Sequence, residues 1–268
     1  MSTPTDTTSD RNLSTLRQLG ELYRTDLGRL SRDYRTIWLG AIQLFPVVGA
    51  FLLVNWASLD GLHVFSTIVE WAMFPFMLPL IAIFYGGPVI VDEIERKTLT
   101  YLTLRPIPKP AIFVAKWAAG TTYALGLVLG TLLLLYAVCI AFGGGFGASG
   151  VPLAKTLLGA ALGTATYTAV FSALSALFAR GLIASVIYFL IFDLVLGFIP
   201  VLKLATVRFH LFDIADVEQQ AQSEMLQTFL SGGNWTIPWW GSALFVAAFG
   251  AVAVAIGATI FGNRQYQI

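Results

Sequence analysis

Residues Asp92–Pro110 read DEIERKTLTYLTLRPIPKP. The stretch holds seven charged residues, Asp92, Glu93, Glu95, Arg96, Lys97, Arg105 and Lys109, in a chain only 12% charged and 57% hydrophobic. Apolar sequence flanks it on both sides. A soluble domain averages about 25% charged residues. With a mean hydropathy of +0.76, this chain cannot cover itself with polar surface, and the bilayer is its expected solvent. The charged stretch is therefore a break between membrane spans.

Working outward, six stretches meet the requirement of about 20 largely apolar residues for a spanning helix. They are Ile37–Ala57, Ile68–Val91, Ala111–Phe142, Leu153–Ala179, Gly181–Val201 and Trp239–Phe261. The fourth and fifth form a tight hairpin around Arg180. Lys and Arg near span ends mark the cytoplasmic side. An internal N-terminus puts 13 of the 16 Lys and Arg inside, leaving only Lys155, Lys203 and Arg208 outside. Both termini and Asp92–Pro110 are thus expected in the cytoplasm. Trp56, Trp71, Trp235, Trp239 and Trp240 fall at outer ends, and Trp38 and Trp117 near inner ends, as interfacial indoles do.

The expected fold is an all-α, multi-pass membrane protein. Residues 1–36 form a polar, disordered tail and an amphipathic helix. Residues 37–268 form the six-span domain, with a connecting segment at 92–110 and an outer segment at 202–238. No apolar region follows the polar start, so no cleaved signal peptide is expected. Leu13, Leu16, Leu19, Tyr23, Leu27, Leu30, Tyr34 and Ile37 recur at helical spacing among several arginines. Such a helix is either an anchor that sets topology or an elbow lying on anionic inner-leaflet lipid against the bundle. In the outer segment, DIADVEQQAQSEMLQTFLSGG reads as one helix, capped by Asp213 at its start and Gly232 at its end. It lies on the outer surface or plugs the bundle.

Within Asp92–Pro110, the acids at 92, 93 and 95 suit a first helical turn. Ile94, Leu99, Tyr101 and Leu102 give an apolar face, and Pro106, Pro108 and Pro110 end the helix. A segment of this length is either a docking element for a cytoplasmic partner or an interfacial loop. DEIERKTLTYLTLRPIPKPAIFVAK resembles the signature of ABC-2 type permeases, the membrane subunits of ABC exporters and related systems. Glu93 and Glu95 match the family's acids, and Thr98 and Leu99 its Thr-Leu. Leu102 and Leu104 fall in its Leu-rich turn, Arg105, Pro106 and Ile107 match its Arg-Pro-Ile, and Lys116 matches its final Lys. Lys97 stands where the family often has Gly, which implies a straighter helix or a different electrostatic contact. The resemblance implies a cytoplasmic coupling helix between spans two and three, docked in a cleft of a separate ABC ATPase subunit. Asp92, Glu93, Glu95, Thr98, Leu99, Leu102, Arg105 and Pro106 would carry that contact. It further implies a second permease subunit, identical or sibling, location in the cell inner (cytoplasmic) membrane among its lipids, and outward transport.

The sequence contains no GxxxxGK[ST] phosphate loop, so the energy source expected under this resemblance is another chain. No cofactor, catalytic residue or nucleic-acid partner is expected. Two His, one Cys and four Met without ligand spacing argue against direct metal transport, and no HExxH or GxSxG occurs. Inside the spans the candidate pathway or interface residues are Gln43 and Asp193. An intramembrane carboxylate is costly. Asp193 lines a cavity, pairs across an interface, contacts a cationic cargo group, or is simply hydrogen-bonded to a neighbouring helix. Glu70, near an outer end, needs only solvation or pairing. Cys139 is a packing residue. Gly126/Gly130 and Gly159/Gly163 suit close helix packing, and Pro46, Pro75, Pro79 and Pro88 suit kinks. Two rival readings remain: a membrane scaffold with no ATP cycle, and an ion-coupled transporter using Asp193.

Overall fold

A computed structural model describes residues 7–57, 59–88, 108–143, 151–178, 180–196, 202–216 and 238–263. All elements among them are helical. Helix α1 is Thr7–Ser31. The first span, Tyr34–Trp56, is broken into α2 (Tyr34–Gln43) and α3 (Phe45–Ala57). Then follow α4 (Gly61–Gly86), α5 (Lys109–Gly143), α6 (Val151–Leu177), α7 (Gly181–Val195), α8 (Val207–Ala215) and α9 (Trp239–Asn263).

Among the described residues, five helical stretches are long and apolar enough to cross a membrane: Tyr34–Trp56, α4, α5, Leu153–Leu177 within α6, and α9. The fifth expected span is described as the shorter apolar helix α7. At 1.5 Å per residue α7 rises about 22 Å, against a hydrocarbon core of about 30 Å. Its far end, 197–201, lies outside the described residues.

The expected kinks have local causes. Proline has no backbone N–H and clashes with the carbonyl four residues earlier. Pro46 lies just after the break at Leu44, and Pro75 lies inside a π-helical stretch of α4, Val69–Met77. There the wider turn accommodates the ring. Pro79 begins the α-helical remainder of α4. Pro110 was expected to help end the preceding helix. Instead it lies in the first turn of α5, where a missing N–H costs nothing. Pro108 supplies the carbonyl that accepts from the amides of Ala111 and Ile112.

Helix α6 is the hub, packing against α4, α5, α7, α8 and α9. Small residues permit this. Gly159 faces α8 and Phe74, and Gly163 sits so close to Leu211 that an added Cβ would lie 2.7 Å from its Cδ1. Gly126 and Gly130 do not behave as expected. A Cβ at either would meet nothing within 4 Å, because this face of α5 packs on no described neighbour. Hydroxyls join the helices. Thr121 of α5 and Thr168 of α6 are 2.8 Å apart, Thr166 donates to the Val246 carbonyl of α9 at 3.0 Å, and Ser172 donates to the Gly86 carbonyl of α4 at 3.3 Å.

At one end of the bundle α1 lies against α5. Leu19 and Leu22 pack with Ile112, Phe113 and Phe261, and Lys116 pairs with Asp26 at 3.1 Å. At the other end sits α8. The expected helix starting at Asp213 is corrected here. Thr206 caps the helix by accepting from the Phe209 amide, and Asp216, at φ 56°, ends it in the left-handed conformation. Asp213 is therefore in the last turn. Gly232 and the expected stripe Val217, Ala221, Met225 and Phe229 lie outside the described residues. Val207, His210, Leu211, Phe212, Ile214 and Ala215 are buried, so α8 is seated among α4, α6 and α9 rather than laid on the surface.

Candidate functional site

Two carboxylates occur within the apolar span helices, Glu70 of α4 and Asp193 of α7. Each sits in a π-helical stretch, Val69–Met77 or Phe189–Val195. Such stretches insert an extra residue into a turn, re-aim side chains and recur at functional sites. Asp193 is 3% exposed. Its Oδ1 accepts from the Tyr167 hydroxyl of α6 at 2.9 Å, while the buried Oδ2 has no hydrogen-bond partner. The half-buried Arg208 of α8 completes the centre, its guanidinium 5.4 Å from the Phe212 ring centroid. Burial lowers the Arg208 pKa, and the Tyr167, Asp193 and Glu70 charges oppose that shift. Tyr167 thus joins α6 to α7 through Asp193, and Arg208 of α8 is coupled electrostatically to Asp193 and Glu70. An aromatic wall stands beside them, with Tyr188 stacked on Phe192 at 4.6 Å and Phe171 edge-on to Tyr188.

Gln43, the other expected interior residue, is 1% exposed, and neither side-chain polar atom has a hydrogen-bond partner. It ends α2, which packs on α3 and α5, whereas α7 packs on α4 and α6. The two interior polar residues therefore belong to different parts of the bundle.

The expected coupling residues Asp92, Glu93, Glu95, Thr98, Leu99, Leu102, Arg105 and Pro106 lie outside the described residues. Their flanks are described. The end of α4 and the start of α5 emerge beside α1, and a pocket between them is lined by Asp26, Arg29, Asp33, Arg35, Tyr85 and Lys116. Tyr85 donates to the Thr36 hydroxyl at 2.9 Å there, fixing the start of α2 to the end of α4.

Several interior polar groups escaped the sequence reading. Tyr167 and Arg208 are not among the site residues expected from the sequence, nor are the hydroxyls of α6. Yet Thr164, Thr168, Ser172 and Ser175 of α6 are all buried. Their near-helical spacing was the available signal. At the α8 end, His210 Nδ1 lies 3.0 Å from Ser242 Oγ, His210 Nε2 lies 3.0 Å from the Leu204 carbonyl, and Ser242 donates to Asp213 Oδ2 at 2.5 Å. Nothing in the sequence pairs residues 213 and 242. Among the described residues, no group of three or more His, Cys, Asp or Glu is arranged to hold a metal ion.

A family model described as ABC-2 family transporter protein matches residues 31–198. The match runs from the end of α1 through Asp92–Pro110 to Asp193, ends before Arg208, and covers over half of the chain. A comparison with curated proteins returns no match. The matched span, laid over a bundle of membrane-length helices, places this chain in the ABC-2 family of transporter proteins, as a multi-pass membrane protein.

Proposed function

We propose that the chain is the permease subunit of an ABC exporter and forms the translocation pathway for a separate ATP-hydrolysing subunit. The observation that carries this reading is the family match across 31–198, which includes the coupling signature. The flanks of that signature emerge together beside α1, at the end where Arg29, Arg35 and Lys116 cluster. In this reading both termini are cytoplasmic, α7 completes a sixth span, α1 is an elbow on the inner leaflet, and a second permease subunit completes the pathway. The chain itself hydrolyses no ATP. Glu93, Glu95, Thr98, Leu99, Leu102, Arg105 and Pro106 engage the ATPase, with Asp92 opening the segment.

The test is capture from the native membrane by crosslinking at Thr98→Cys in a Cys139→Ala background, with mass spectrometry of the captured chain. A partner bearing a phosphate loop is the expected result. A partner without one supports the scaffold reading instead. The buried, unpartnered Oδ2 of Asp193 favours one further reading, ion-coupled transport. Transport that requires ATP and persists in Asp193→Asn would remove it.

A further inference from the structure

Asp213, Ser242 and His210 form a chain of hydrogen-bond contacts that joins α8 to α9 and to the 3-10 turn Leu202–Ala205. Its protons can be counted from chemistry alone. The Leu204 carbonyl only accepts, so His210 Nε2 must carry a hydrogen. Two contacts remain, Nδ1 to Oγ at 3.0 Å and Oγ to Oδ2 at 2.5 Å. The serine hydroxyl has one proton to give, so it can serve only one of them. The second contact needs one more proton, either on Nδ1 or on Oδ2. With a neutral imidazole and an ionised carboxylate, one contact sets lone pair against lone pair.

We propose that Asp213, Ser242 and His210 form a single-proton site, and that binding the proton latches α8 onto α9. The proton adds one hydrogen bond without changing any heavy-atom contact. On loading, it attaches either to Asp213 Oδ2 or to His210 Nδ1. No bond between heavy atoms forms or breaks. Burial presses the imidazole below its ordinary range, while the Leu204 carbonyl and the Asp213 carboxylate act the other way. With the proton on Nδ1 the imidazolium donates to Ser242, which donates to Asp213 Oδ2; with it on Oδ2, Asp213 donates to Ser242 and Ser242 to His210. The titration belongs to the group and not to one residue.

Among the described residues, Asp213 is the charged side chain that acts on His210. On α8 itself, Arg208 interacts with Tyr167 of α6, Asp193 of α7 and Glu70 of α4. Asp216, at the α8 C-cap, pairs with Lys155 of α6 at 2.6 Å. The 3-10 turn carries Lys203 in its sequence, and Trp239–Asn263 of α9 contains no titratable residue. The Phe245 ring, 4.2 Å from the imidazole centroid, covers one side of it. The inference does not depend on what the protein transports, or on whether it transports at all.

The experiment is hydrogen–deuterium exchange of the full chain in lipid nanodiscs from about pH 4 to 8, with rates normalised for intrinsic exchange and read on peptides covering α8. Protection of α8 is expected to rise about fivefold towards acid, the worth of one ordinary hydrogen bond, while α5 stays constant. In Asp213→Asn the carboxamide donates to Ser242 permanently, so protection should be high and independent of pH. In Ser242→Ala it should be low and independent of pH. A flat wild-type profile overturns the proposal. So does an Asp213→Asn or Ser242→Ala protein that titrates as the wild type does. If Asp213→Asn does not fold, the wild-type and Ser242→Ala profiles decide the matter.

Discussion

Asp193 is held by one hydroxyl. Tyr167→Phe removes the donor to Oδ1 and leaves a buried carboxyl group without a hydrogen-bond partner among the described residues. Orphaning a buried polar group costs about 1–3 kcal/mol. We expect a lower unfolding midpoint in detergent for Tyr167→Phe, and recovery of much of that loss when Asp193→Leu is added. A double mutant no more stable than Tyr167→Phe would mean that the pair is not coupled as its geometry indicates. The glycines make a second residue-scale comparison. Gly163→Ala forces Leu211 to move, an overpacking cost of about 1–3 kcal/mol. Gly126→Ala meets open space and gains helix propensity, so it should leave the midpoint unchanged or raised. Thermal unfolding of the two variants side by side checks both.

Among the elements, α8 is nine residues long and depends on its ends. Thr206 satisfies an otherwise orphaned amide at its start. Thr206→Val keeps the shape of the side chain and removes the acceptor, at a cost of about 1 kcal/mol. Faster amide exchange confined to α8 is the expected signature, and an unchanged rate would show that packing alone holds the helix. On the proposed function, Glu93→Lys with Glu95→Lys abolishes association with the ATPase subunit while the bundle unfolds normally. Co-purification followed by a melting curve reads both. A double variant that assembles as the wild type does would exclude these acids as contacts.

At the scale of the whole molecule the open question is how many times the chain crosses. Five stretches are long enough on their own, and α7 is described over only part of its expected length. If α7 crosses, Asp216 and Thr98 lie on opposite sides of the membrane. We expect Thr98→Cys to react with an impermeant thiol reagent only from the cytoplasmic side, and Asp216→Cys only from the outer side, both in a Cys139→Ala background. Reaction of the two from the same side would contradict the placement of α8 at the end of the bundle opposite α1. Asp216 suits the test because its side chain is 74% exposed.

Composition alone determined that this chain is a helical membrane protein, because so few charges cannot solvate a folded surface of this size. Runs of apolar residues placed five stretches of spanning length, and Pro46 and Pro75 marked irregular turns, since a missing N–H acts within one helical turn. The residues of Asp92–Pro110 pointed to the family that the match over 31–198 then established. The tertiary structure decided which polar residues meet. Tyr167 reaches Asp193 across 26 positions, and Ser242 reaches Asp213 across 29, through helices whose mutual rotation no local pattern encodes. It also decided that, among the described residues, Gly159 and Gly163 make close contacts and Gly126 and Gly130 make none. The same GxxxG spacing serves either outcome, because what matters is which helix lies opposite. The α8 boundary shows the same limit. Thr206 and Asp213 are equally good caps by residue type, and burial of Val207, His210 and Leu211 among α4, α6 and α9 selected the earlier one.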